Sequence, residues 1–306
     1  MLVLVEQTLN GLQFGLTLFL MASGLTLVFG IMGLINLAHG SLYMVGAYVC
    51  ATATGVSGNF LVGVVAGVIA AGAVGVLIEV VAMRRLYDRD HLDQVLATFG
   101  LILFFNELVK IIWGPQALFL GVPEALSGTV EILPGLPYPT YRLAIIVVGL
   151  LVALGLRQLI VGTRLGMLIR AGASNREMVA ALGVDIDRLF TIVFCMGAML
   201  AGLAGAMAGP LLAIEVGMGE NILILTFVVI VVGGIGSVRG ALIAALLVGL
   251  IDTYARAFLP GWFRAIFDAA TADALGPSIA GMAIYIAMAA VLIFKPRGLF
   301  PAFGAR

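Results

Sequence analysis

Phe60-Leu-Val-Gly63-Val-Val-Ala-Gly67-Val-Ile-Ala-Ala-Gly-Ala-Val-Gly-Val-Leu-Ile-Glu79-Val-Val-Ala-Met83 runs for 24 residues with one ionisable side chain. A helix of that length rises about 36 Å, enough to cross the roughly 30 Å hydrocarbon core of a bilayer. Its Gly63-x-x-x-Gly67 pair lets another helix approach closely, a feature common in membrane proteins that says nothing about cargo. Glu79 lies near one end of the run, where a carboxylate finds a partner more easily than at mid-membrane.

Working outward, the same pattern recurs along the whole chain. Nine apolar spans are expected, at about 10–30, 35–54, 60–83, 95–113, 142–160, 189–213, 221–236, 240–258 and 277–294. The fold class is therefore an all-α polytopic transmembrane bundle of about 8–10 spans, a single transmembrane domain over 1–306. Composition agrees: 62% of residues are hydrophobic and 10% charged, against about 25% charged in soluble domains. The second span begins on the polar Asn36-Leu-Ala-His39-Gly40-Ser41, and Gly233-Gly234-Ile-Gly236-Ser237-Val-Arg239-Gly240 separates the seventh from the eighth. Gly there can break a helix, so the seventh or eighth span, like the second, is a place for a re-entrant segment rather than a full crossing.

The loops orient the chain. Arg84, Arg85, Arg89, Arg157, Arg164, Arg170, Arg176, Arg188, Arg239, Lys295, Arg297 and Arg306 fall on one side, and Lys110, Arg142, Arg256 and Arg264 on the other. The positive-inside rule then puts the N-terminus outside and the C-terminus inside. Residues 1–10 carry Glu6 and no Lys or Arg, so the first span lacks the basic flank of a secretory signal and is expected to be retained. Two outward loops follow, at about 114–141 and 259–276, each long enough to fold over a pore mouth.

On the inner side, within the loop at about 162–188, lies Arg170-Ala-Gly-Ala-Ser174-Asn175-Arg176-Glu177-Met178-Val-Ala180-Ala181-Leu182-Gly183. Ser174 and Glu177 have capping-box spacing, and Gly183 supplies a left-handed stop. The framed helix of about two turns is too short to stand alone in water. It is either a docking element, with Ala180 and Ala181 admitting a neighbouring backbone beside Met178 and Leu182, or a loop with one incidental helical turn.

Several chemistries are disfavoured. The 16 basic and 16 acidic residues leave no net charge, so nucleic acid has no electrostatic draw. Cys50 and Cys195 sit in apolar runs, and His39 and His91 are the only histidines, which makes neither a disulfide framework nor a metal cluster. Lys110 and Lys295 follow Val109 and Phe294, so no Gly-Lys-Ser/Thr phosphate loop exists. Any ATP and magnesium would be bound by other chains, and no cofactor is expected in this one.

Polar residues within the spans are the candidates for a translocation path. They are Asn36, His39, Ser41 and Tyr43, together with Asn106 and Asp252. Interhelical hydrogen bonding accounts for His39 equally well. Glu107 and Lys110 are spaced to neutralise each other, whereas Asp252 is expected to lack a basic residue one turn away. Two other classes compete with a motor-driven permease: a secondary transporter coupled to an ion through Asp252 or Glu107, and a membrane enzyme using His39 with Glu79 or Asp252.

Gly24-Leu-Thr-Leu-Val-Phe-Gly30-Ile-Met-Gly-Leu-Ile-Asn36-Leu-Ala-His39-Gly40-Ser41-Leu-Tyr43-Met-Val-Gly46-Ala-Tyr48 resembles the N-terminal signature of branched-chain amino acid ABC permeases of the LivH type. Arg170 to Gly183 resembles that family's ATPase-docking loop. Gly233 to Ala241 and Lys295-Pro296-Arg297-Gly298-Leu299-Phe300 resemble further motifs in the family's order. The resemblance implies an inner-membrane importer with a second permease subunit, LivM-like or a second copy of this chain. Two cytoplasmic ATPases and a periplasmic substrate-binding protein complete it. It implies branched-chain or related amino acids as cargo, with urea, short amides and aromatic acids as alternatives within the family.

Overall fold

The computed structural model describes residues 2–87 and 89–300. Its helices are α1 (Leu2–Met32), α2 (His39–Ser57), α3 (Phe60–Val81), α4 (His91–Trp113), α5 (Thr140–Gly162), α6 (Arg164–Ser174), α7 (Arg176–Ala181), α8 (Ile186–Ala208), α9 (Met218–Gly233), α10 (Val238–Ile266) and α11 (Ala269–Phe294). Seven of these are long and apolar enough to cross a membrane: α1, α3 with the one-turn helix Met83–Arg85 that extends it, α4, α5, α8, α10 and α11. α2 and the 16-residue α9 complete the nine apolar segments expected from sequence.

α1 is the axis of the bundle. It is enclosed through most of its length, packing against α5, α8, α9 and α10. α3, α4, α5 and α11 instead turn apolar side chains outward, among them Leu77, Phe99, Phe104, Leu151 and Ile286. Such a belt is stable against lipid and costly against water.

The two irregular helices start inside the bundle. His39 packs on Gly24 of α1, where an added Cβ would fall 3.0 Å from Nε2. α1 continues to Met32, about 12 Å further along its axis, so residues 33–38 climb back without helix before α2 begins. α9 likewise starts within the protein, with Gly219 against the backbone of Gly40. A Cβ on Gly40 would lie 2.5 Å from the Gly219 carbonyl oxygen, so only glycine permits this meeting. α9, the seventh expected span, is thus a short helix that starts inside the protein, at one of the places where the sequence allows a re-entrant segment; the Gly233–Gly240 stretch that follows it is not itself a membrane segment. It is a tight turn between α9 and α10, with Gly234 and Gly236 at positive φ, and the backbone N–H groups of Leu299 and Phe300 pair with its Val232 and Gly233 carbonyls.

Alternation of the helices puts α6, α7, the α3–α4 turn and the Gly233–Gly240 turn at one end. Eleven of the twelve basic residues assigned to the inner side lie at this end, while Arg306 falls outside the described residues. At the opposite end the connection at 114–141 is a structured loop, and only the loop expected at 259–276 is corrected. Residues 114–141 contain an antiparallel hairpin, β1 (Thr129–Leu133) and β2 (Leu136–Pro139), and Leu118 bridges to Ile214. The region 259–276 is almost wholly helical, broken only at Phe267 and Asp268, because the Asp268 carboxylate caps α11 by accepting from the Thr271 N–H.

Candidate docking and coupling region

The docking segment is a helical corner. Thr163 caps α6, its hydroxyl oxygen accepting from Gly166 N–H at 3.0 Å. Ser174 closes α6 rather than opening α7, which corrects the expected capping box. The residue that leaves helical geometry is Asn175, at φ −158° and ψ 98°, and its Oδ1 accepts from Met178 N–H at 2.9 Å. Asn is among the strongest N-cap residues, so it takes the role when its backbone is extended. The stop at Gly183 is as expected: it has φ +86°. Gly183 N–H pairs with the Ala180 carbonyl and Val184 N–H with that of Val179, the two bonds of a Schellman motif.

This leaves α7 as six residues locked at both ends. Val179 is its buried anchor, while Arg170, Ser174, Asn175, Glu177, Met178, Ala180, Ala181, Leu182 and Gly183 are all exposed. Met178 and Leu182 are 59% and 77% exposed. They lie four residues apart, on one face, with Ala181 beside them.

Between α7 and the rest of this end lies a groove of about 540 Å³. It is lined by Ser174 to Glu177, by Tyr87, Arg89, His91 and Gln94, and by the last turn of α1. Behind Tyr87, the Glu79 carboxylate accepts from Arg84, Tyr87 and Thr191. This cluster has little sequence signal: Arg84 lies five residues from Glu79, and Thr191 is 112 residues away.

The expected path residues separate into groups. Asn36, His39, Ser41 and Tyr43 are all buried within this one chain, around the start of α2. Among the described residues, both amide atoms of Asn36 and the Nε2 of His39 lack a hydrogen-bond partner. Asn106 donates to Glu220 in the first turn of α9 at 2.6 Å; Glu220 was not singled out by sequence. Asp252 is elsewhere, on the part of α10 that follows Gly249, which packs against Gly11 and Gly15 of α1, well outward of Gly24. The expectation that Asp252 has no basic residue one turn away is overturned. Arg256 pairs with it at 2.8 Å, with a spacing that was visible in the sequence. Glu107 and Lys110 pair at 2.6 Å on an exposed face.

Comparison with known proteins places this architecture. The family model described as branched-chain amino acid transport system / permease component matches residues 7–293. The chain is 30% identical to the high-affinity branched-chain amino acid transport system permease protein BraD of Pseudomonas aeruginosa, over 96% of this chain and 95% of that protein. It is 30% identical to the permease protein LivH of Escherichia coli, over 84% and 88% of the two chains. It is 28% identical to the ribose import permease protein RbsC of Escherichia coli, over 76% and 72%. No solved structure matches it. With a family match over nearly its whole length and seven helices fit to cross a bilayer, this multi-pass membrane protein belongs to the family of branched-chain amino acid transport system permease components.

Proposed function

We propose that the chain is the permease subunit of an ATP-driven importer in the bacterial inner membrane, carrying branched-chain or related amino acids. The carrying observation is α7, a six-residue helix capped at both ends that exposes Met178 and Leu182 away from the apolar belt. A helix this short gains nothing from propensity, so building one with both caps and leaving its apolar side open suits a partner that grips it.

In this reading the end holding α6 and α7 is cytoplasmic, as the basic residues there favour. Two ATPase subunits bind ATP and magnesium and dock on Arg170 to Gly183. A second permease, LivM-like or another copy of this chain, packs on the lipid-facing side. A periplasmic binding protein delivers cargo to the hairpin end. That protein sets most of the selectivity, so the permease needs only a sparse polar lining. Asn36, His39, Ser41, Tyr43 and Asn106, around the meeting of α2 and α9, supply it once the two half-buried helix starts separate. Asp252, neutralised by Arg256, has the weakest claim. The same pairing weakens an ion-coupled carrier, because Asp252 already has its counter-ion.

Ala181→Arg tests the docking surface. A bulky charge buried at the contact is strongly unfavourable, so copurification of the ATPase subunits should fall more than tenfold while the permease accumulates normally. Undiminished copurification would overturn the placement. Cargo is read by uptake into proteoliposomes holding the full complex: leucine, isoleucine and valine are expected to compete with one another, and urea not to compete.

A further inference from the structure

Glu220 stands where an unpaired carboxylate is disfavoured. It lies in the first turn of α9, about 20 Å along the helix axis from Gly233 at the α7 end. That is short of the roughly 30 Å thickness of a hydrocarbon core, and the preceding Gly219 is packed on Gly40 inside the bundle. Glu220 is therefore at membrane depth, and it is only partly buried.

Three other acids in the apolar helices each have a base in the same chain. Glu79 pairs with Arg84 at 3.1 Å, Glu107 with Lys110 at 2.6 Å and Asp252 with Arg256 at 2.8 Å. Among the described residues Glu220 has no such partner. Neither α2 nor residues 189–238 contain a Lys or Arg. On α4 the one Lys or Arg is Lys110, and Glu107 holds it.

What Glu220 does have is Asn106, whose Nδ2 donates to Oε1 at 2.6 Å. A carboxylate only accepts, so this bond fixes the orientation of the amide. The Asn106 Oδ1 is then left buried, with no hydrogen-bond partner among the described residues. The pair is rich in acceptors and carries one negative charge that no base offsets. The N-terminal dipole of α9 compensates part of that charge, which accounts for the carboxylate. It does not account for a buried carbonyl oxygen with nothing to accept from. A primary ammonium answers both, bringing a positive charge and three N–H donors.

We propose that Glu220 and Asn106 form a subsite for the α-ammonium of an amino-acid cargo, where the path passes the start of α9. The inference rests on the reading of the chain as an amino-acid permease and adds the group that recognises the cargo's positive charge. An aromatic acid would meet repulsion at Glu220, and urea would gain no charge contact there.

The test uses the full importer with its binding protein in proteoliposomes. Leucine uptake by the unmodified complex comes first, and its absence would overturn the amino-acid reading and this proposal together. Glu220→Gln keeps the shape and an acceptor for Asn106 but removes the charge. It should lower leucine uptake at least about tenfold, with yield and copurification of the other subunits unchanged, and Glu220→Asp should recover at least about a third of the rate. A chemical probe follows the charge itself. With Cys50 and Cys195 replaced by alanine, Asn221→Cys puts a thiol at the exposed position next to Glu220. During ATP turnover, and relative to a free thiol in solution, it should favour methanethiosulfonate ethylammonium over the anionic ethylsulfonate reagent by at least about tenfold. Leucine should slow the cationic reagent, and Glu220→Gln should bring the preference within about twofold of unity. If Glu220→Gln accumulates poorly, the cation preference and leucine protection of the Asn221→Cys complex carry the test. Undiminished uptake by Glu220→Gln, or a thiol that is unreactive or indifferent to charge, would overturn the subsite and leave the permease reading standing. Loss of the second permease from the Glu220→Gln complex would also overturn it, by giving Glu220 a basic partner in that chain.

Discussion

Two polar clusters in this chain are built on opposite terms. At the α7 end, Glu79 has a donor for each oxygen. At the meeting of α2 and α9, Asn36 is equally buried, yet neither of its amide atoms is paired among the described residues. A satisfied buried network rigidifies, whereas an unsatisfied buried group costs free energy that must be returned elsewhere. The first suits a part that transmits movement intact. The second suits a part whose polar atoms meet their partners only in another state of the permease.

The most damaging way to probe the contrast is at the glycine contact that brings α2 and α9 together. In Gly40→Val the new side chain meets the backbone of Gly219 rather than a movable side chain. Overpacking against backbone exceeds the usual range of about 1–3 kcal/mol. Folded protein should be nearly lost from the membrane fraction, as read by fluorescence-detected size exclusion. A normal elution profile would mean that the two helix starts are not locked together.

Replacing each buried polar group by leucine gives a sharper comparison, with opposite signs expected. Glu79→Leu strands Arg84 and Thr191 and should destabilise by about 3 kcal/mol, the low end for breaking a buried pair because Arg84 is partly exposed. Asn36→Leu removes a group that has no partner among the described residues, so stability should hold or rise by up to about 1 kcal/mol while uptake falls at least tenfold. Thermal melting in detergent together with proteoliposome uptake reads both. Equal loss of stability in the two variants would erase the distinction.

The short helix offers a smaller test within the rigid region. Asn175→Ala deletes the cap actually used and should cost about 1 kcal/mol, with weaker ATPase copurification. Ser174→Ala should leave both unchanged, since Ser174 ends α6. If the serine variant were the worse one, the capping box suggested by the sequence would be restored.

That reversal shows where the sequence was legible. The spans could be read because hydrophobicity is local and each crossing must satisfy its own backbone. The stop at Gly183 was legible because one residue type tolerates positive φ so readily. Choosing Ser174 over Asn175 failed because both residues cap well, and only the direction of the entering α6 decides between them. The loop expected at 259–276 failed for a related reason. Pro260 and Pro277 lie inside helices, and neighbouring packing, such as Gly276 against Pro260, compensates for what proline removes. Glu79 could be placed near a span end, but not matched to Thr191, because a partner 112 residues away leaves no spacing to detect. Arg256 is the reverse case: its four-residue spacing from Asp252 is visible in the sequence and is that of a helical ion pair.

Glu107 and Lys110 calibrate the comparison from below. They resemble the Glu79 cluster on paper, an acid and a base a few residues apart, and their contact at 2.6 Å is shorter than the Arg84–Glu79 contact at 3.1 Å. Burial separates them: the Glu107 side chain is 66% exposed and the Glu79 side chain fully buried. An exposed pair is worth about 0–1 kcal/mol whatever its length, so Lys110→Ala should shift the melting midpoint only slightly and leave uptake intact. A loss as large as that of Glu79→Leu would show that the outer end of α4 lies against a partner in the assembled importer, where the pair is shielded from solvent. The ranking of the two acids would then reflect the assembly rather than this chain.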